Sequence, residues 1–367
     1  MTQTLAIFYD AYRSLNAKKM FWIVLAISGL VVAGFALVGI NEKGLKVLVW
    51  QLDTEPFTTE LVSAAFFYKW AFLTFGIGIW LGWIATILAL VSTAGVFPDL
   101  VTSGSIDLLV SKPIGRLRLF LTHYLAGLLF VTLQIAIFCV ASFLVIGLRG
   151  GVWEPGLFMA VPLIVCFFSY LFCVCVLLGL VTRSAMAALL LTLLFWFGVY
   201  GIGAAENALL MFKLAAEQRQ TAAVQIEKQP SPRQKPLPPA DAPDRGAEAE
   251  PAEPKVERPP AEARQTRGPD GESRSLATAH KILYRIKTVL PKTTETVGLL
   301  ERTLIDLAEL PDGAFGQPNR DSAQGKAARQ VAETLRERSV AWVVGTSLGF
   351  EVLVLALAAF LFCRRDF

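Results

Sequence analysis

The chain has 367 residues, 54% of them hydrophobic and only 17% charged, with a mean hydropathy of +0.53 and a formal net charge of +4. A water-soluble chain of this length with this composition has too little polar surface to cover its fold. The net charge itself names no partner, and the many Lys and Arg residues late in the chain alternate with acids, which excludes a nucleic-acid patch.

The apolar residues come in blocks long enough to cross about 30 Å of hydrocarbon, which takes roughly 20 residues of helix. Before the first block, Thr4–Lys19 places Leu5, Phe8, Tyr9, Tyr12 and Leu15 at helical spacing, which reads as an amphipathic helix on the membrane surface over residues 1–20. A plain extension of the first span is the alternative. Six blocks follow, at Phe21–Ile40, Ala71–Val96, Tyr124–Leu148, Leu157–Val181, Ala185–Gly203 and Ala341–Cys363. The first is too long for the apolar core of a signal peptide and is read as a retained span. The expected fold class is an all-α membrane protein with six transmembrane helices.

Placement of the basic residues orients these spans. Arg13, Lys18 and Lys19 precede span 1, Lys112, Arg116 and Arg118 lie between spans 2 and 3, Arg183 lies between spans 4 and 5, and Arg364 and Arg365 follow span 6. With six crossings all four locations fall on one side, which the positive-inside rule makes cytoplasmic. Both termini are then cytoplasmic, in the cell (cytoplasmic or inner) membrane. The segments Asn41–Trp70, Arg149–Gly156 and 204–340 lie outside.

Within span 2, Gly78 and Gly82 form a small-xxx-small pair of the kind that lets helices approach. Trp70, Trp80, Trp83 and Trp196 mark either interfaces or interior contacts. Cys139, Cys166, Cys173, Cys175 and Cys363 all lie in spans or at a span end, so no structural disulfide is expected outside. His123 and His280 are far apart, no metal-ligand cluster stands out, and no base neighbours Ser103, Ser105 or Ser111 to activate a nucleophile. No cofactor and no catalytic residue are assigned.

The outer segment 204–340 changes character along its length. Residues 204–228 can continue as helix. Residues 229–275 form a Pro-, Ala- and charge-rich stretch with eleven of the chain's 19 prolines, expected to be disordered because it buries too little apolar surface to offset ordering entropy. A small helical part over 276–340 follows, with apolar stripes at Ile282, Leu283, Ile286, Val289 and Leu290, then Val297, Leu300, Leu304 and Leu307, separated by Pro291. A third helix is expected from Ala323 into span 6. This outer part either docks an extracytoplasmic partner or decorates the surface. In the last span and tail, 341–367, Glu351 lies deep in apolar sequence. Two readings of it stand: a group on the substrate pathway, or a glutamate protonated or hydrogen-bonded at a helix interface.

The segment between spans 2 and 3, residues 97–118, carries the mechanism. Span 2 ends at Phe97, Pro98-Asp99 suits a helix start with Asp99 as N-cap, a short amphipathic piece runs Leu100–Val110, and a break at Lys112-Pro113 precedes the helix that becomes span 3. A short surface helix between two spans can seat in a groove of a soluble partner, with Leu108, Leu109 and Ile114 as apolar anchors and Asp107, Lys112 and Arg116 as polar contacts. Force on it moves both spans.

The residues Asp99, Gly104, Ser105, Ile106, Asp107, Leu108, Leu109, Ser111, Lys112, Pro113, Ile114 and Arg116, in that order between spans 2 and 3, resemble the coupling segment of ABC transporter type 2 permeases. They resemble especially the branch that includes the permease for copper-site maturation of nitrous oxide reductase. The closing Phe362–Phe367 and the stretch Tyr284–Pro291 also resemble that branch, so the likeness covers residues 1–204 and 276–367. His123 departs from it, standing where relatives usually carry Lys. The resemblance implies a permease that pairs with a second copy or a paralogue, with one separate ABC ATPase subunit bound to each. The chain itself has no Gly-x-x-x-x-Gly-Lys-Ser/Thr loop for ATP phosphates, so the expectation is a non-enzymatic export permease. A non-transporting scaffold that transmits force to an outer partner is the competing reading.

Overall fold

The computed structural model describes residues 19–41, 44–47, 50–52, 63–102, 115–151, 153–228, 282–283, 285–304 and 338–364, with isolated helical positions at 9, 12, 13, 278 and 330. Most of the expected surface helix over 1–20, the Pro-rich stretch 229–275 and the helix from Ala323 lie outside these residues. Among the described residues, six helices are long and apolar enough to cross a membrane: Lys19–Leu37, Phe66–Val101, Arg116–Gly150, Pro155–Thr182, Ala185–Leu214 and Val340–Arg364. The protein is a multi-pass, helical membrane protein.

Span 4 is the hub. In its most apolar window 72% of residues are buried, against 22% in spans 1 and 5. It packs against spans 3, 5 and 6, while span 1 rests on spans 2 and 3. Span 3 shows why hydrocarbon is the required solvent. Leu121, Leu125, Leu129, Leu133, Ile137, Val140, Leu144 and Leu148 recur every three or four residues and all face outward, exposed. Phe120, Tyr124, Phe130, Val131, Phe138 and Cys139 face inward. Both faces of this helix are apolar, so the residues that turn inward are distinguished by shape and not by hydropathy.

Span boundaries differ from the sequence reading for identifiable reasons. The first helix (α1, Lys19–Leu37) stops short of Ile40, because the chain turns into an antiparallel meander of β1 (Val38–Asn41), β2 (Gly44–Val47) and β3 (Trp50–Leu52). Its end is held by Arg149, which donates to the Ala36 carbonyl, and by Tyr68, whose hydroxyl donates to the Val38 carbonyl at 2.9 Å. Those bonds satisfy carbonyls that a helix end leaves open. Span 2 starts earlier than Ala71. Ser63 caps α2 (Ala64–Ala71) by accepting from the Phe66 N–H at 3.2 Å.

Span 2 then widens into a π-helix over Phe72–Ala85 before α3 (Thr86–Thr93). Gly78 and Gly82 serve this widening, whereas Gly76 is the glycine that other spans approach, with Phe138 and Phe35 each 3.4 Å from where its Cβ would stand. A Cβ on Gly82 would stand 2.9 Å from the Ile77 carbonyl oxygen, and one on Gly78 3.3 Å from that of Leu73, with no atom of another helix among their near neighbours. The small-xxx-small reading of this pair is thereby corrected. Trp80 and Trp83 also turn out to be interior contacts. The Trp80 N–H donates to Ser28 Oγ at 3.2 Å, and the Trp83 ring stacks on Trp196 at 4.8 Å.

Helix α4 (Val96–Thr102) ends the described part of span 2, and α5 (Arg116–Gly150) forms span 3. At 1.5 Å per residue α5 is about 52 Å long, so it projects well past the hydrocarbon. Span 4 opens with a 3₁₀ turn, Pro155–Met159, and continues as α6 (Ala160–Thr182). It reverses tightly into α7 (Ala185–Lys228) through Arg183, the one described non-glycine residue with positive φ, at 55°. The end of the bundle that carries Lys19, Arg116, Arg183 and Arg364 is called the terminal side below, and the opposite end the far side.

On the far side, helical residues 285–289, a turn at Leu290–Lys292 and α8 (Thr293–Leu304) lie against spans 2, 4, 5 and 6. The hairpin reaches down the last span, α9 (Val340–Arg364), because the Lys292 N–H donates to Ser347 Oγ at 2.9 Å. Ser347 is about two helical turns inside α9.

Close approach in the bundle gives a direct test. A Cβ on Gly127 would sit 2.8 Å from the Phe172 ring, whereas one on Gly198 meets nothing within 4 Å. Gly127→Ala is expected to destabilise by about 1–3 kcal/mol through overpacking. Gly198→Ala should leave the detergent melting temperature unchanged or slightly higher.

Candidate functional site

Only the ends of the candidate coupling segment are among the described residues. Gly104, Ile106, Asp107, Leu108, Leu109, Lys112, Pro113 and Ile114 lie outside them, as do Ser105 and Ser111. Asp99 is not an N-cap. It is in the first turn of α4, its N–H donating to the Gly95 carbonyl at 2.9 Å, and a carboxylate there is favoured by the helix dipole. Pro98 is tolerated in the same turn, where its missing N–H costs no helix bond.

Both ends of the segment are anchored to the terminal side of the bundle. Phe97, Phe120 and Phe362 form an aromatic triad with centroid separations of 5.0, 5.7 and 6.4 Å, joining the ends of spans 2, 3 and 6. Pro98 lies against Gly179 of span 4, where a Cβ would come within 3.2 Å of its ring. Arg116 Nη1 donates to the Cys363 carbonyl at 3.1 Å. Asp99 and Arg116 are thus both held on the terminal side, where these contacts join the ends of spans 2, 3, 4 and 6. His123 Nδ1 lies 3.0 Å from the Leu119 carbonyl of its own helix.

Glu351 is buried at the centre of the bundle. The Tyr124 hydroxyl of span 3 lies 2.7 Å from Oε1, and the Ser169 hydroxyl of span 4 lies 2.7 Å from Oε2. Tyr124 is held in place by stacking on Phe172, with 5.1 Å between centroids and 10° between planes. Ser169 also reaches the Cys166 carbonyl at 2.8 Å. Each carboxyl oxygen therefore has a side-chain partner on a different helix. This is the geometry of a helix-interface tie, the second of the two readings that Glu351 carried.

A second polar cluster stands on the far side. Glu206, fully buried near the end of span 5, pairs with Lys287, and with Arg338 at 2.6 Å. Glu295 pairs with Lys287 at 2.8 Å, and also with Arg338. Two acids and two bases thus close a ring that ties the hairpin to the ends of spans 5 and 6. The hairpin is turned accordingly: Lys287 is buried, while Ile282, Ile286 and Val289 face outward. Three residues of the apolar stripe seen in sequence thus lie on the outward face and not the interior one. The sequence reading did not find this cluster, because its members are up to 132 residues apart and each looks like an ordinary loop charge.

Lys292 completes the cluster without joining the ring. Its ammonium lies 2.5 Å from Thr346 Oγ1 and 4.1 Å from the centroid of the Trp342 ring. Burial pushes its pKa down to about 8. Lys287 and Arg338 add to that effect, and Glu295 and Glu206 oppose it. No group of His, Cys, Asp and Glu that could hold a metal occurs among the described residues.

Compared with known proteins, the chain matches no family model, no curated sequence and no solved structure.

Two outcomes follow from this geometry. Glu351→Leu removes two interhelical hydrogen bonds, each worth about 0.6 and at most about 1.7 kcal/mol in a membrane. It should lower the melting temperature, while Glu351→Gln, which can accept from Tyr124 and donate to Ser169, should keep most of it. For Lys292, the folded pKa near 8 lies below its ordinary value of 10.5, so between these pH values the unfolded state holds more protons. Stability of the hairpin should therefore rise as pH increases through that window. Hydrogen exchange of residues 285–304, corrected for its intrinsic pH dependence, should show that rise, and Lys292→Met should abolish it.

Proposed function

We propose that this chain is the membrane-spanning permease subunit of an ABC transporter, working in export. On this reading a separate ABC ATPase subunit drives it through the segment Asp99–Arg116, and a second permease copy or a paralogue completes the pathway. The observation that carries the reading is the segment itself. Its motif resembles the coupling segment of type 2 permeases, and its ends join the terminal ends of spans 2, 3, 4 and 6 through the Phe97–Phe120–Phe362 triad, the Pro98–Gly179 contact and the Arg116–Cys363 bond. A push on a segment whose two ends are held this way is delivered to several spans at once.

In this reading the terminal side is cytoplasmic, as the basic residues at span ends require under the positive-inside rule. ATP is bound and hydrolysed by the partner subunit, and the chain supplies no catalytic group. The far-side hairpin, clamped by Glu206, Lys287, Glu295 and Arg338, closes the extracytoplasmic end of the bundle between spans 4, 5 and 6. Hydrocarbon is the remaining partner, met by the outward leucines of span 3.

The same clamp favours one second reading. A hairpin fixed rigidly to two spans and continuous with the long segment 204–340 is also suited to passing motion to an extracytoplasmic partner without moving a substrate.

The decisive experiment is co-purification of the ATPase subunit. Asp107→Arg and Arg116→Glu should each reduce the ATPase recovered with the permease at least tenfold, at unchanged membrane expression. Recovery equal to the unaltered chain in both variants would remove the coupling assignment. ATP-dependent transport in inside-out vesicles then separates the two readings, since a force-transmitting scaffold binds the ATPase but moves no cargo.

A further inference from the structure

A groove of about 310 Å³ lies between the far-side half of span 1 and the far-side start of span 2. Val31, Gly34 and Phe35 form one wall, and Phe67, Ala71 and Phe75 the other. The one polar group at its edge, the Tyr68 hydroxyl, is turned away to the Val38 carbonyl at 2.9 Å. No hydrogen-bonding group is therefore offered to an occupant, which excludes a polar ligand.

Three observations say what does fit. All the lining residues but Val38, which follows the end of span 1, belong to two candidate spans, so the groove stands at the far-side edge of the hydrocarbon. It opens sideways, since Phe75 and Gly34 on its walls are exposed. Its rim carries a cation: exposed Arg149 donates to the Ala36 carbonyl, and the Tyr68 ring lies 3.2 Å from where a Cβ on the adjacent Gly150 would stand. The other nearby cation, Lys69, is already paired with Glu154 at 2.8 Å. A helix about 10 Å across does not fit such a volume, whereas the volume falls at the lower end of the roughly 300–1,000 Å³ of small-molecule sites.

We propose that this groove seats one acyl chain of an anionic glycerophospholipid from the far-side leaflet, with its phosphate beside Arg149. The chain supplies dispersion contacts to walls that otherwise lack partner atoms on one side. The phosphate sits where guanidinium recognition of an anion is available at the interface. Such a lipid wedges spans 1 and 2 at their far-side ends, next to the meander. The site is independent of the transporter reading.

Gly34 makes the test clean. A Cβ there meets nothing within 4 Å, so Gly34→Leu adds bulk at the groove wall from an open backbone position, and Gly29, equally open on the same helix but outside the groove, is the control. The full chain is reconstituted with phosphatidylglycerol or phosphatidylcholine, extracted in mild detergent and weighed by native mass spectrometry. One retained phosphatidylglycerol per chain is expected for the unaltered protein and for Gly29→Leu. At least a tenfold loss is expected for Gly34→Leu, and Arg149→Gln should abolish the preference over phosphatidylcholine. A melting temperature measured on each variant shows that it is folded. Phosphatidylglycerol bearing a photoreactive acyl chain should label Val31–Phe35 or Ala71–Phe75. Equal retention by folded Gly34→Leu, labelling only elsewhere, or crosslinks from a photoreactive residue at position 34 to residues 53–62 or to a second copy would each overturn the proposal.

Discussion

Hydrocarbon supplies no hydrogen-bond partner, so a chain crossing it has to close its backbone bonds inside its own helices and meet every remaining polar group from a neighbouring helix. Much of the molecule answers to that constraint. The open carbonyls at the end of the first span are taken by Arg149 and Tyr68. The hydroxyls of Thr132, Thr182, Thr192 and Ser347 each donate to the carbonyl four residues earlier in their own helix. Groups that cannot be served locally become ties between spans: Ser28 to Trp80, and Glu351 to Tyr124 and Ser169.

These ties make a mechanical assembly in which span 4 is the shaft. It meets span 6 through Ser169 and Glu351, and the terminal end of span 2 through Gly179 and Pro98. The hairpin rests on its far-side half. From one end to the other the bundle therefore carries aromatic and polar contacts on the terminal side, a carboxyl tie at the centre and an ion-pair ring on the far side. The three are built from different chemistry because their surroundings differ. Tilted and edge-on ring contacts join the buried phenylalanines at the helix ends, paired hydroxyls meet the carboxyl in the middle, and charge pairs are sustained where both acids are met by two bases each. The proposed lipid at span 1 belongs to the periphery, where, among the described residues, the first span rests chiefly on spans 2 and 3.

Where the sequence reading succeeded and failed has a consistent physical cause. The six spans were legible because length and hydropathy suffice to identify a helix that crosses a bilayer. Their ends were less so. The end of the first helix at Leu37 is held by Arg149 and Tyr68, 113 and 30 positions from the Ala36 and Val38 carbonyls they meet, and span 2 widens through a π-helix that no hydropathy pattern announces. Asp99 looked like a cap by its place after an apolar run, yet the helix had already restarted at Val96. Gly78 and Gly82 matched a helix-approach pattern while serving their own backbone.

By itself, the sequence determined that this protein is a bundle of six membrane helices, that its basic residues gather at one set of span ends, and that a compact motif with alternating anchors and charges joins spans 2 and 3. Those are local properties: each can be read within twenty or so residues, because membrane insertion is decided one segment at a time. Only the tertiary structure decided that span 4 is central, that Glu351 is shared by Tyr124 and Ser169, that Glu206 meets Lys287 and Arg338, and that the stripe of Ile282, Ile286 and Val289 faces outward. When nearly every face of a helix is apolar, hydropathy cannot say which side turns inward, and that choice passes to shape and to the few polar groups that must find one another.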